Sequence, residues 1–324
     1  MSCAEWYRWF GEHEAPGRSP SYSRLALAVA DDAELCRLIE RLPSPKQQPN
    51  LLFAATRFLS GPTDGWAAFR AFVTQYWVDV SELMSTRSTQ TNESGRCASF
   101  LPLLARLPQP VALVELGASA GLCLYPDRYQ YRYGDVVIGA SAVSVDVSCT
   151  GPVPVPTVLP EVVARMGVDL EPRDVTDPDH VAWLRACIWP EQVERQQRFD
   201  AAAAVVAADP PILMVGDLVE SLPALLAEVP DAATTVVFHS AVFMYLSEQQ
   251  RRSAAELLGR NDDIVWLSNE SPGLVPGLSS AARPPAGQSQ TSYMEVGVGG
   301  LEVAALTGPH GSWLDWLERR GAGR

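Results

Sequence analysis

Residues 111–122, Val-Ala-Leu-Val-Glu115-Leu-Gly117-Ala-Ser119-Ala-Gly121-Leu, read as a buried strand that runs into a glycine-rich turn and then a helix. Four apolar residues in succession suit a strand covered on both faces. The small residues after it allow the backbone to approach a ligand closely, and the start of a helix offers free N–H groups. Glu115, at the strand end, can accept hydrogen bonds from an ammonium group or a ribose hydroxyl. Beyond this stretch, similar short apolar runs recur at 212–215, 235–238 and 264–267, separated by turn residues and helical segments. That alternation predicts a parallel sheet with crossover helices, an α/β fold.

Upstream, residues 1–108 read as an all-helical cap joined by Pro/Gly turns, with candidate helices at 5–10, 22–30, 33–42, 50–59, 66–84 and 97–107. In the longest, Trp66, Phe69, Phe72, Val73, Tyr76, Trp77 and Val80 recur at helical spacing, which marks a packing stripe. Residues 109–324 form the sheet domain, with a long insert at about 127–210. The insert opens on a hairpin, Tyr129, Tyr131 and Tyr133 alternating before Gly134-Asp135, and continues through a Pro-rich connection. Residues 272–292, rich in Gly, Pro, Ser and Ala, predict a mobile loop or lid. A closing antiparallel hairpin turns at Gly299-Gly300, and a short helix is expected over Ser312–Arg319.

Composition removes several chemistries. The chain has 324 residues and 25 basic side chains, among which Lys46 is the single lysine. It lies in a Pro/Gln turn, so a Walker phosphate loop, a protein kinase and a pyridoxal enzyme are excluded. The net charge of −13, with scattered arginines, argues against nucleic acid or an anionic membrane as a partner and points to a small-molecule substrate. Six dispersed cysteines without a Cys-x-x-Cys, beside four histidines, give no metal site and read as buried free thiols. With neither a secretory leader nor a membrane-length apolar run, a cytoplasmic location is expected.

Gly117-Ala-Ser119-Ala-Gly121 satisfies Gly-x-Ser-x-Gly, and Asp217 and His310 follow in serine-hydrolase order. A hydrolase elbow, however, follows a strand preceded by several others, and the helical first 108 residues supply none. The stretch VELGASAG resembles instead the first motif of class I S-adenosylmethionine-dependent methyltransferases, with Ser119 in place of the middle glycine. ILMVGD at 212–217 resembles their third-strand segment, TTVVFHSAVFMYLSEQQ at 234–250 the fourth strand and its helix, and DIVWLSNESP at 263–272 the fifth strand. The resemblance implies a Rossmann-like sheet, parallel with a C-terminal antiparallel hairpin, and S-adenosylmethionine as cofactor. The whole chain is similar to the bacterial family DUF2332, through QPNLLFAA at 48–55, TQTNESGRCA at 89–98, VELGASAGL at 114–122, DRYQYRYG at 127–134, DVTDP at 174–178, WLRACIWPEQ at 183–192 and TGPHGSWLDWL at 307–317.

On that resemblance Glu115, Gly117, Ser119 and Gly121 border the cofactor and Asp217 binds adenine. The ribose acid is Asp169, Asp174 or Asp146, in that order. His239, at a strand end, is the first general-base candidate and His310 the second. Asn92, Glu93 and Arg96, in a polar run between apolar flanks, together with Ser240 and Glu270, are candidate substrate contacts. The expected activity is methyl transfer to a small molecule. The alternatives are a non-catalytic Rossmann-like ligand-binding or assembly protein, and a serine hydrolase using Ser119.

Overall fold

A computed structural model describes residues 1–317 of the chain. Six helices come first: α1 (Cys3–Trp9), α2 (Pro20–Asp31), α3 (Ala33–Ile39), α4 (Pro49–Phe58), α5 (Trp66–Gln75) and α6 (Trp77–Thr86). Next come α7 (Cys97–Leu104) and β1 (Val111–Leu116), then β2 (Gln130–Tyr133), β3 (Val136–Ile138), β4 (Ser144–Thr150) and β5 (Val162–Asp169). Two helices, α8 (Pro178–Ala186) and α9 (Val193–Ala208), precede β6 (Ile212–Val215), α10 (Leu218–Leu226), β7 (Thr234–Ser240) and α11 (Glu248–Gly259). The last strands are β8 (Ile264–Glu270), β9 (Met294–Val298), β10 (Glu302–Thr307) and β11 (Trp313–Trp316).

Two compact units result. The first comprises Met1–Thr91 and Asp174–Phe199, the second Asn92–Arg173 and Asp200–Arg324. The helical unit therefore ends at Thr91 rather than near 108 and recruits α8, whose Trp183 is buried in the same core as Tyr7, Phe53, Phe69 and Val29. Large aromatics at non-local positions decide this membership, which helical periodicity within each segment does not reveal. The single helix expected over 66–84 is two, broken at Tyr76, whose φ of −106° and ψ of 27° leave the helical well. Phe69, Val73, Val80 and Met84 nonetheless form one buried stripe across the break.

The second unit holds an eleven-stranded sheet in the order β3-β2-β4-β11-β10-β9-β8-β7-β1-β5-β6. β6, β5, β1, β7 and β8 are mutually parallel. β9 is antiparallel to β8, and β10 to β9. From β1 the chain builds outward on one side through β5 and β6, then returns to the other side through β7 and β8. The direction of winding thus reverses between β1 and β7, and in open α/β sheets such a reversal leaves a crevice at the carboxyl ends of the strands.

Three local expectations are corrected. Gly121 is followed by a single 3-10 turn, Leu122–Leu124, rather than by a helix, because the chain leaves immediately for β2. The segment 313–316 is β11 rather than a helix, since it pairs antiparallel with β10 and parallel with β4; 318 and 319 lie outside the described residues. Its apolar spacing suits a helix, and the two open strand edges override it. The first part of the 272–292 loop is pinned, with Val275 and Leu278 buried in the core beneath α10 and α11 and Ser280 N donating to Glu295 Oε1 at 3.1 Å.

Candidate functional site

Strand register decides which side chains meet. Glu115 pairs with Phe238 and Leu116 with His239, so Glu115 shares a face with Phe238 and Ser240. Ser240 pairs with Asn269, which places Asn269 on that face too. His239 and Glu270 project from the opposite face, with Trp266. The carboxyl edge of the sheet therefore carries two polar clusters, one on each side.

On the Glu115 face the sequence-predicted residues converge. Asn92 Nδ2 donates to Ser119 Oγ at 2.6 Å, and its Oδ1 accepts from Ala120 N at 2.9 Å. One amide thus fixes both ends of a turn in which Ser119 has a φ of 50°, strained for a non-glycine residue. Arg96 is buried, donating through Nε to Pro309 O at 3.0 Å and through Nη1 to Ser240 O at 3.2 Å. Its loop and the 308–311 turn also meet backbone to backbone: a Cβ on Gly95 would lie 2.5 Å from His310 O, and one on Gly311 would strike Gly95 O. That contact sets His310 Nδ1 3.7 Å from Glu93 Oε2, with Glu93 buried and His310 25% exposed at the rim. Asn269 Nδ2 donates to Ser240 Oγ at 3.2 Å.

Glu115 lies at the centre and is 5% exposed. Burial, with the Cys123 thiol beside it, pushes its carboxyl well above the usual carboxylate range, and the Arg96 charge opposes the shift. Its Oε2 is buried and accepts no hydrogen bond. A buried acceptor left in that state is costly unless a donor arrives, so this oxygen is the feature of the cluster that calls for a ligand.

Asp169, at the end of β5 beside β1, accepts from Ser119 N through Oδ2 at 2.8 Å and from Glu171 N through Oδ1 at 2.9 Å. Asp217 follows β6 and caps α10, its Oδ1 accepting from Val219 N at 2.8 Å and Glu220 N at 3.2 Å. Three acids therefore stand at the carboxyl ends of three adjacent parallel strands. Asp174 belongs to the helical unit, where Oδ1 accepts from Thr176 N and Oγ1 at 2.7 Å. Asp146 lies on β4, six strands from β1, paired to Arg132 at 3.0 Å. Neither shares the cluster.

On the other face His239 is fully buried. Its Nε2 accepts from Trp266 Nε1–H at 3.0 Å and its Nδ1–H donates to Glu270 Oε1 at 2.8 Å, which makes the ring a neutral imidazole with both nitrogens engaged. Phe243 stacks on it, 4.0 Å between centroids. A general base needs an available lone pair, and this ring presents none. Glu270 Oε1 also accepts from Val242 N at 3.0 Å and Phe243 N at 3.2 Å. Together they hold the turn after β7, where Ala241 has a φ of 56°. Val242 covers Gly117: a Cβ there would lie 2.5 Å from Val242 Cγ2, and the φ of 75° also requires glycine. Gly121 packs instead against Pro211 and Leu124.

Arg173 was not anticipated from the sequence. It is buried, binds Glu171 Oε1 at 2.7 Å, and donates its backbone N–H to Ser119 O at 2.9 Å. Nothing in its local pattern, between Pro172 and Asp174, distinguishes it from an exposed arginine. No group of three or more metal-ligating side chains occurs among the described residues. No helix among them is long and apolar enough to cross a membrane.

A search of curated proteins and a search of solved structures each return no match. The scan of family models matches residues 4–316 to DUF2332, described as an uncharacterized protein conserved in bacteria. With nearly its whole length matched, including the stretches at 89–98 and 114–122 that build this cluster, the chain belongs to DUF2332.

Proposed function

We propose that the carboxyl edge of β1, β5 and β6 binds S-adenosylmethionine and that the chain transfers its methyl group to a small molecule. The observation that carries this reading is the unpartnered Oε2 of Glu115 beside the glycine turn, flanked by Asp169 and Asp217 at the ends of the next two strands. A buried carboxylate oxygen without a donor suits the ammonium group of the cofactor's methionine part. The strand-end acids suit hydroxyl and amino donors of its nucleoside. When bound, the cofactor supplies an electrophilic methyl on a sulfonium, so the protein's share is position and charge.

Asn92 and Asp169 hold the Ser119 turn from two sides, through Oγ and N–H. Glu93 faces Nδ1 of His310 at the partly exposed rim, where this imidazole is the candidate acceptor of a substrate proton. His239 serves as a positioning residue through Glu270 and the Val242 turn.

Calorimetric titration with S-adenosylmethionine and S-adenosylhomocysteine tests the reading. Binding in the micromolar range, weakened at least about tenfold by Glu115→Gln and Asp169→Asn, is the expected result, a loss of about 1.4 kcal/mol. No heat at millimolar ligand refutes it.

A second reading, ligand binding without catalysis, is favoured by two features: Val242 sits over Gly117, and only a 3-10 turn follows Gly121. Ligand binding without methyl transfer to any acceptor would select it. The hydrolase has less support, since Asp217 spends Oδ1 on capping α10 and Ser119 Oγ accepts from Asn92. Labelling of Ser119 by a fluorophosphonate would revive it.

A further inference from the structure

Cys97 and Cys123 stand next to each other behind the glycine turn. Cys97 opens α7, directly after the loop that carries Asn92, Glu93 and Arg96. Cys123 lies in the 3-10 turn that follows Gly121. The Cys97 thiol donates to Cys123 O at 3.4 Å and the Cys123 thiol donates to Glu93 O at 3.3 Å, so the two side chains meet where the loop joins the turn. Both are reduced here and nearly enclosed, 1% and 8% exposed. Cysteines packed this closely can be joined by side-chain rotation, whereas sulfurs on diverging vectors cannot be joined without moving the backbone.

We propose that Cys97 and Cys123 are a site of reversible disulfide formation that locks the 92–96 loop onto the glycine turn. The co-reactant is a low-molecular-weight disulfide. The thiolate of one cysteine attacks it, forming a mixed disulfide and expelling one small thiolate. The second cysteine then attacks the protein-bound sulfur and expels the other. The two cysteines lose two protons and two electrons in all, and the small disulfide becomes two thiols.

The position of the bond gives it a consequence. Asn92 already ties the loop to Ser119 and Ala120, and a covalent link five residues further on would remove the remaining freedom of the loop to lift away. The cross-link stands on the thiol geometry alone. Its effect on ligand entry rests on the reading of this crevice as the cofactor site.

The Cys97 thiol and burial together raise the Cys123 thiol above its ordinary range, so its thiolate is scarce and closure is slow near neutrality, faster as pH rises. Cys149 is exposed and provides an internal comparison. Cys3 and Cys36, on α1 and α3 of the helical unit, are buried and provide a second comparison.

The test is incubation of the full chain with oxidised glutathione at pH 7 and pH 8.5, blocking of remaining thiols under denaturing conditions, and tryptic mapping. Cleavage after Arg96, Arg106 and Arg128 puts Cys97 in peptide 97–106 and Cys123 in peptide 107–128. The expected result is a linked 97–106/107–128 species that forms faster at pH 8.5, disappears with dithiothreitol and is absent from Cys123→Ser. Blocked, unlinked Cys97 and Cys123 in a sample whose Cys149 has reacted would overturn the proposal. Oxidised protein is then expected to bind S-adenosylhomocysteine at least tenfold more weakly than reduced protein. Equal affinity would overturn the locking role, and failure of the reduced protein to bind would count against the cofactor reading while the linked peptide still decides the disulfide.

Discussion

Trp266 donates its indole N–H to Nε2 of His239 at 3.0 Å, across two neighbouring parallel strands. This one bond sets the tautomer, because Nδ1 must then carry the proton that goes to Glu270 Oε1. It turns the most inviting histidine of the sequence into part of the scaffold. His239→Ala should leave a buried indole donor without its acceptor and remove a stacked ring from Phe243. The expected cost is about 2–4 kcal/mol in urea unfolding. His239→Gln should recover part of it, and a stability loss that Gln does not reduce would contradict the bonding scheme.

Glu115 gives stability a pH dependence of defined sign. Its carboxyl is raised in the folded state, so folding favours the protonated form. The contribution is fully present below the unfolded carboxylate value of about 4.3 and is lost as pH rises toward the folded value. Ligand-free protein should accordingly show Glu115→Gln more stable than the parent at pH 7.5 by about 1–2 kcal/mol, with a difference that shrinks at pH 4.5. Thermal melts at the two pH values check this, and a Gln variant less stable at pH 7.5 would refute it.

Asn92 is expected to matter for the turn more than for the fold. Asn92→Ala removes both the donor to Ser119 Oγ and the acceptor of Ala120 N–H, at about 1–3 kcal/mol. The amides of Ser119 and Ala120 should lose hydrogen-exchange protection, while those of β7 and β8 keep theirs. Uniform loss across the sheet would show instead that Asn92 supports the whole unit.

Gly117→Ala meets two separate obstacles, the left-handed backbone and the Val242 methyl. Backbone strain costs about 1 kcal/mol and overpacking about 1–3 kcal/mol. Adding Val242→Ala should restore the packing part and leave the backbone part. A double mutant no better than Gly117→Ala by itself would show that Val242 yields freely.

Much of this was legible in the residues. The run at 111–116, the acid at its end and the glycine turn announced a strand-turn unit, and the alternation downstream announced parallel strands. The Gly134-Asp135 and Gly299-Gly300 hairpins declared themselves by turn chemistry. Asn92, Glu93, Arg96 and His310 stood out as polar groups amid apolar or glycine-rich flanks, and contacts between their two loops assemble them beside Glu115. What local pattern could not supply was register. Consecutive residues such as His239 and Ser240 fall on opposite faces, and only pairing with β1 tells which one meets Glu115. Nor could spacing within Trp313–Trp316 show that β10 and β4 offered it two edges.

That strand has a bearing on the order of events during synthesis. β2, β3 and β4 leave the ribosome well before β11, yet their connection to the other strands of the sheet runs through it. Until residues 313–316 emerge, β4 has an open edge and the three early strands must wait. A chain stopped at 312 would therefore carry two separate sheets, one of three strands and one of seven, and β11 acts as the clasp that makes them one.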